Sequence, residues 1–146
     1  MNKDIIVNNE NETYKQGSSF ALKLKKGENL ALFGDLGAGK TKFLQGLANG
    51  LGVKETVNSP TFNILKLYRV CGHKKIKQFC HVDAYRLNSE KDLISLGIEE
   101  YLADPEIVVA IEWAEKIEKI LPKSSWIIKL SFISENKRKL SIKKQP

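Results

Sequence analysis

The most continuous apolar run in the chain is Ile107-Val108-Val109-Ala110-Ile111, β-branched and without alternation, the pattern of a parallel strand buried on both faces. Glu28-Asn29-Leu30-Ala31-Leu32-Phe33 reads as a second buried strand, and it runs straight into a glycine-rich stretch. Residues 4–8 form a short strand by the same criteria. Residues 64–70 and 76–82 pattern as two more, joined by a hairpin turn at Gly72-His73-Lys74-Lys75. The tail alternates. Ile128, Leu130 and Phe132 point one way, and Leu140 and Ile142 do so again after the turn Glu135-Asn136-Lys137-Arg138, as in an edge hairpin.

Helical spacing fills the intervals. Asn9, with Glu12 three residues on, resembles a capping box. Thr13, Gly17, Phe20, Ala21 and Leu24 then recur every three or four residues, which predicts a helix to Lys26 with Gly27 as its stop. Phe43, Leu44, Leu47, Ala48 and Leu51 predict a second helix ending at Gly52. Ser89-Glu90-Lys91-Asp92 opens a further short helix, and residues 114–121 a last one ended by Pro122. Pro60 makes residues 56–63 a loop.

The glycine-rich stretch carries the chemistry. Gly34-Asp35-Leu36-Gly37-Ala38-Gly39-Lys40-Thr41 fits G-x-x-x-x-G-K-[ST], with a strand before it and a helix after it, as a phosphate loop requires. A chance match in a chain this size is on the order of one in a few hundred from composition. The glycines let backbone N–H groups turn inward toward phosphate oxygens, and the helix starting near Lys40 adds its positive dipole end. Lys40 is a point charge for the β and γ phosphates of ATP, and the Thr41 hydroxyl takes one position on Mg²⁺. The chain is therefore predicted to be α/β, a P-loop NTPase-like three-layer fold with a mixed, mostly parallel central sheet and a C-terminal edge hairpin. Residues 1–146 form one domain on this reading.

Such a site needs a carboxylate for the metal. Asp83 and Glu112 each follow an apolar strand, where ligands collect in open α/β sheets. Glu112 has the stronger case for the metal, its strand being the more central. Asp83 is either a second residue behind the metal or the group that orients the attacking water. Each could instead be a helix N-cap. Thr61, in the loop after the second helix, is either a turn residue or a switch that senses the γ-phosphate. His73 and His81 read as structural. So do Cys71 and Cys80, which fit neither a disulfide framework nor a zinc site.

The formal net charge of +7 invites a nucleic-acid reading, but only three of the 24 basic residues are arginines (Arg69, Arg86, Arg138), and the lysines are spread along the whole chain. No apolar run approaches the length of a membrane span, and the N-terminal residues lack the core of a signal peptide. A cytoplasmic protein with no membrane partner is expected.

Taken together, these motifs resemble the bacterial TsaE (YjeE) family, the ATPase subunit of tRNA threonylcarbamoyladenosine biosynthesis. The phosphate loop continues as Phe43-Leu44-Gln45-Gly46-Leu47-Ala48 and Gly50-Leu51-Gly52-Val53. Ser59-Pro60-Thr61-Phe62, His81-Val82-Asp83-Ala84-Tyr85-Arg86-Leu87, Gly97-Ile98-Glu99-Glu100-Tyr101 and Ile111-Glu112-Trp113-Ala114-Glu115 look like that family's later signatures. The resemblance implies slow ATP hydrolysis in support of TsaB and TsaD-like partners, with tRNA contacted indirectly or weakly. It implies Lys40, Asp83 and Thr61 in the hydrolytic chemistry or its switch, and Thr41 with Glu112 on Mg²⁺. Nucleotide contacts would come from Thr13 on the adenine side, Asp35, Gly37, Ala38, Gly39, Lys40, Thr41, Lys42 and Arg138. Lys42 stands where the family often has a second Thr, and Ala114 where Pro is common; Lys42 would point away from the metal. The rival readings are a small P-loop nucleoside or nucleotide kinase, which would need more arginines, and a non-catalytic tRNA-binding module.

Overall fold

The computed structural model describes residues 2–60 and 63–146. Seven strands form one sheet in the order β1-β7-β6-β2-β5-β4-β3. They are β1 (Asn2–Val7), β2 (Asn29–Phe33), β3 (Leu65–Arg69), β4 (Gln78–Asp83), β5 (Ile107–Glu112), β6 (Trp126–Phe132) and β7 (Arg138–Lys144). The four central strands β6, β2, β5 and β4 are parallel, while β3, β7 and β1 add antiparallel flanks. All six residues of β5 are buried, as its unbroken apolar run requires. The C-terminal hairpin β6–β7 lies toward one margin as expected, but β1 pairs outside β7 and is itself the edge.

Helices α1 (Glu10–Ala21) and α2 (Lys40–Leu51) cover one face of the sheet. Phe20, Phe43, Leu44 and Leu47 pack there on Leu30, Leu32, Val108, Ile128 and Leu130. The other face is covered by α3 (Glu90–Ile94), α4 (Ile98–Ala103) and two single 3-10 turns, through Leu93, Ile98, Ala114 and Ile117 on Val82, Val109 and Ile111. That is the three-layer arrangement.

The Asn9 side chain accepts from the Glu12 N–H at 2.8 Å, and the Glu12 carboxylate accepts from the Asn8 N–H at 3.2 Å. The expected cap thus forms with its return bond shifted by one residue. Four local expectations change. Helix α1 stops at Ala21 rather than Lys26, because residues 22–24 tighten into i-to-i−3 bonds that bury Leu24, and Gly27 is then bonded to Pro105 at the entry to β2. Ser89 makes no side-chain cap; Asp92 accepts instead from the Asn88 N–H at 3.2 Å. Helix α4 had no counterpart in the periodicity. Residues 114–121 are two 3-10 turns, not one α-helix. Ala114, Ile117 and Ile120 recur every three residues, the period at which a 3-10 turn stacks side chains on one face.

Helices α1 and α2 approach closely enough that small residues are obligatory. A Cβ on Gly46 would sit 1.9 Å from the Tyr14 carbonyl oxygen, and one on Gly17 would sit 2.1 Å from that of Phe43. Both obstacles are backbone, so neither can rotate aside. We expect Gly46→Ala to lower the free energy of unfolding in urea by about 2 kcal/mol, the overpacking cost exceeding the roughly 1 kcal/mol that alanine's helix propensity returns. An unchanged midpoint and slope would contradict the packing described.

Candidate functional site

Strand register decides what the site contains. Leu32 of β2 lies beside Glu112 of β5, and Glu112 beside Asp83 of β4. The carboxyl ends of three adjacent parallel strands therefore finish level, with the glycine-rich loop leaving β2 directly above them. The loop turns through Gly37 at φ +79° and Gly39 at φ +106°, conformations that favour glycine. Gly39 is also the N-cap of α2 and supplies no capping side chain. The first N–H groups of α2 thus have no partner within the helix or from a side-chain cap.

Two clefts open on either side of this loop. One, of about 340 Å³, is bordered by Lys40, Thr41, Ser59, Asp83, Glu112 and Trp113. The other, of about 410 Å³, is bordered by Asn9, Thr13, Gly37, Gly39, Lys42 and Arg138. Lys42 borders both, so it does not simply point away from the first.

In the first cleft, Thr41 lies 2.9 and 3.0 Å from the two oxygens of Glu112, whose residue is only 3% exposed. The Thr41 hydroxyl donates to that carboxylate and accepts from the Ser59 hydroxyl at 2.9 Å. On the far side, His81, wholly buried, donates from Nε2 to Glu112 Oε2 at 2.6 Å, leaving Nδ1 without a hydrogen bond among the described residues. Lys40, 5% exposed, donates to the carbonyls of Gly34 and Asp35, the latter at 3.0 Å, and lies 4.0 Å over the Trp113 ring. Burial holds its ammonium below the ordinary lysine value, opposed by the charges of Glu112, Glu115, Asp83 and Asp35. Trp113 itself sits at φ +58°, with its ring tilted at 52° to that of Tyr85 and the centroids 4.9 Å apart. It is therefore beside the loop lysine, not deep in the core.

Asp83 borders the same cleft but does not reach Thr41. Its Oδ1 accepts from the Tyr85 N–H at 3.0 Å, in a turn where no helix follows. Glu112 caps no helix either. Burial raises the Asp83 pKa above its usual value; the Tyr85 N–H opposes the rise and the Glu112 charge adds to it.

In the second cleft, buried Thr13 faces Gly39, its methyl 3.5 Å from where a Cβ would stand. Arg138 donates to the Gly37 carbonyl at 3.3 Å and lies 4.7 Å over the Phe132 ring. Asp35 contributes its carbonyl to the loop and is otherwise exposed. Thr61 lies outside the described residues. Two participants went unrecognised in the periodicity, His81 and Ser59. His81 stands two residues before Asp83 on the same side of β4, and a polar residue inside so apolar a strand was the available signal. His73, by contrast, organises its own turn, accepting from Lys75 and Ile76 N–H groups. Both cysteines are free, and burial pushes the Cys80 thiol up to about 12.

Level strand ends, a glycine-lined loop and an uncapped helix start define an α/β protein of the P-loop NTPase-like fold. Residues 7–140 match the model of the Threonylcarbamoyl adenosine biosynthesis protein TsaE family. The tRNA threonylcarbamoyladenosine biosynthesis protein TsaE of Treponema pallidum is 34% identical over 131 residues, spanning 90% of this chain and 93% of that protein. The protein of the same name from Bacillus subtilis is 37% identical over 133 residues, spanning 91% and 80%. The crystal structure of Bacillus subtilis YdiB superposes with a TM-score of 0.78 at 29% identity, covering 100% of this chain and 87% of that one. The chain belongs to the TsaE family, involved in tRNA threonylcarbamoyladenosine biosynthesis.

The Asp83 environment has a measurable consequence. A carboxyl whose pKa is raised on folding favours the folded state fully only below its unfolded value near 3.8, and that contribution is lost as pH rises through the folded value. Asp83→Asn removes the charge and can still accept from Tyr85. We expect the variant to unfold at a higher temperature than the parent at pH 7.5, with the difference closing as pH falls toward 4. A variant less stable than the parent at pH 7.5 would contradict this.

Proposed function

We propose that the chain binds Mg-ATP and hydrolyses it slowly, as the ATPase that supports tRNA threonylcarbamoyladenosine formation in the cytoplasm with TsaB and TsaD-like partners. The observation that carries this reading is the Thr41 hydroxyl set against both oxygens of the buried Glu112 carboxylate, one residue after Lys40 at an uncapped helix start.

The donor set fits magnesium. It prefers oxygen ligands and is commonly held by one or two carboxylates together with substrate phosphates, rather than by an all-protein cage. Among the described residues no group of three or more His, Cys, Asp or Glu side chains forms such a cage, and the pair Thr41 and Glu112 offers the simpler arrangement. The bound ion would neutralise charge on the phosphate oxygens. The remaining steps belong to the chain. Lys40 would exchange its bonds to the loop carbonyls for the β and γ phosphates. His81 and Ser59 hold the metal pair in place from either side. Asp83, whose carboxyl burial raises above its usual pKa, faces the same cleft and is the candidate to orient or deprotonate the attacking water. On the other side of the loop, Thr13, Lys42 and Arg138 border the space for the nucleoside.

The kinase alternative is disfavoured by the same walls. Arg138 is the one arginine bordering either cleft among the described residues, whereas phosphoryl transfer to an acceptor usually uses several. The test is phosphate release by the purified chain with Mg-ATP. The parent should release phosphate slowly without any acceptor. Lys40→Ala should do so about a hundredfold less, the scale of removing one preorganised charge at a reacting centre. Equal release by the two proteins would overturn the assignment. Transfer to added nucleosides instead of water would favour the kinase.

A further inference from the structure

The layer formed by α3, α4 and the 3-10 turns ends near β2, and beyond it one face of β6, β7 and β1 meets solvent. Its positions alternate with the core residues Ile128, Leu130, Leu140 and Ile142. They are Lys129 and Ser131 on β6, with Lys139, Ser141 and Lys143 on β7 and Asn2, Asp4 and the exposed Ile6 beside them on β1. Register sets Lys143 beside Ile127, Lys129 beside Ser141 on one flank and Phe33 on the other, and Lys139 beside Ser131. Lys129 and Lys143 are thus diagonal neighbours, about 7–8 Å apart at the backbone. Lys123 joins them around a groove of about 480 Å³ that Phe33 and Ile127 also line. Two acids oppose this charge. Asp4, paired with Lys139 at 4.0 Å, offsets that lysine, and Glu118 borders the groove. Among the described residues Lys123, Lys129 and Lys143 form no ion pair, so the groove keeps an excess of positive charge.

Four lysines of the C-terminal segment, Lys123, Lys129, Lys139 and Lys143, therefore share one open sheet face. Lysine is depleted at protein–protein interfaces, which want an apolar centre. A basic face with hydroxyls suits a phosphate backbone, and the half-buried Phe33 ring, with the Lys129 ammonium 6.0 Å from its centroid, adds an apolar edge against which an unpaired base can pack. We propose that this face, centred on Lys129 and Lys143, binds RNA through its phosphates, independently of the nucleotide clefts on the loop. This rests on the face's chemistry and not on ATP hydrolysis.

The test uses fluorescence anisotropy with labelled unmodified tRNA, without nucleotide, between 50 and 200 mM salt. Three phosphate contacts predict a slope of log affinity on log salt of about −2 to −3 for the parent. In Lys129→Gln/Lys143→Gln the slope should become shallower by about 1.5, with at least roughly tenfold weaker binding at 50 mM salt. Both lysines are exposed, so the fold should persist, checked by circular dichroism. Parent-like binding and slope in the variant would overturn the proposal, as would absence of tRNA binding by the parent. Polyglutamate bound in place of tRNA, and lost in the variant, would assign the face to an acidic protein. Because no nucleotide is present, none of these outcomes depends on the ATPase reading.

Discussion

A carboxylate as buried as that of Glu112 must be held by donors, because an unpaired charge in the interior costs several kcal/mol. Its partners are Thr41, from the first turn of α2, and His81, from the neighbouring strand. Those three side chains tie the loop-bearing helix to two central strands. The tie works only because β2, β5 and β4 end level. A one-residue slip in β5 or β4 would turn Glu112 or His81 to the opposite face and break the set. Much of the architecture serves that alignment: four parallel strands in the middle, and a core on each face to fix their register.

The same economy governs α1. Its glycine contact with α2 brings Thr13 against Gly39, so that the outer wall of the second cleft is positioned by helix packing rather than by a dedicated loop. Lys40 shows the complementary strategy. With its carbonyl partners and the Trp113 ring it is satisfied in place, yet burial makes its charge costly there, leaving an ammonium that an anionic ligand would stabilise. Local packing thus leaves the loop formed while its charge remains available for exchange.

Much of this was legible in the residue pattern because the signals were local. The unbroken run ending at Glu112 marked a central strand and its terminal acid. The glycine spacing marked the loop, and Asn9 with Glu12 marked a helix start. What stayed hidden depended on register between distant segments. His81 acquires its role only through strand pairing that sets it diagonal to Glu112, and Ser59 only through the return of its loop to Thr41. The break of residues 114–121 into 3-10 turns follows from burying Ala114 and Ile117 under the sheet, and β1 becomes the margin because β7 presents a free edge to it. The basic sheet face was invisible for the same reason: Lys129 and Lys143 are fourteen positions apart in the chain yet diagonal neighbours across it.

On the proposed function, Thr41 and Glu112 act as one unit on one magnesium ion. A double-mutant cycle tests it, with magnesium titrated at fixed ATP concentration and nucleotide binding followed by calorimetry. If the account is right, Thr41→Ala and Glu112→Gln each weaken the magnesium dependence, and the double variant is little worse than the weaker single variant, a coupling of about 1 kcal/mol or more. Fully additive losses, or a magnesium dependence that Glu112→Gln leaves untouched, would contradict it.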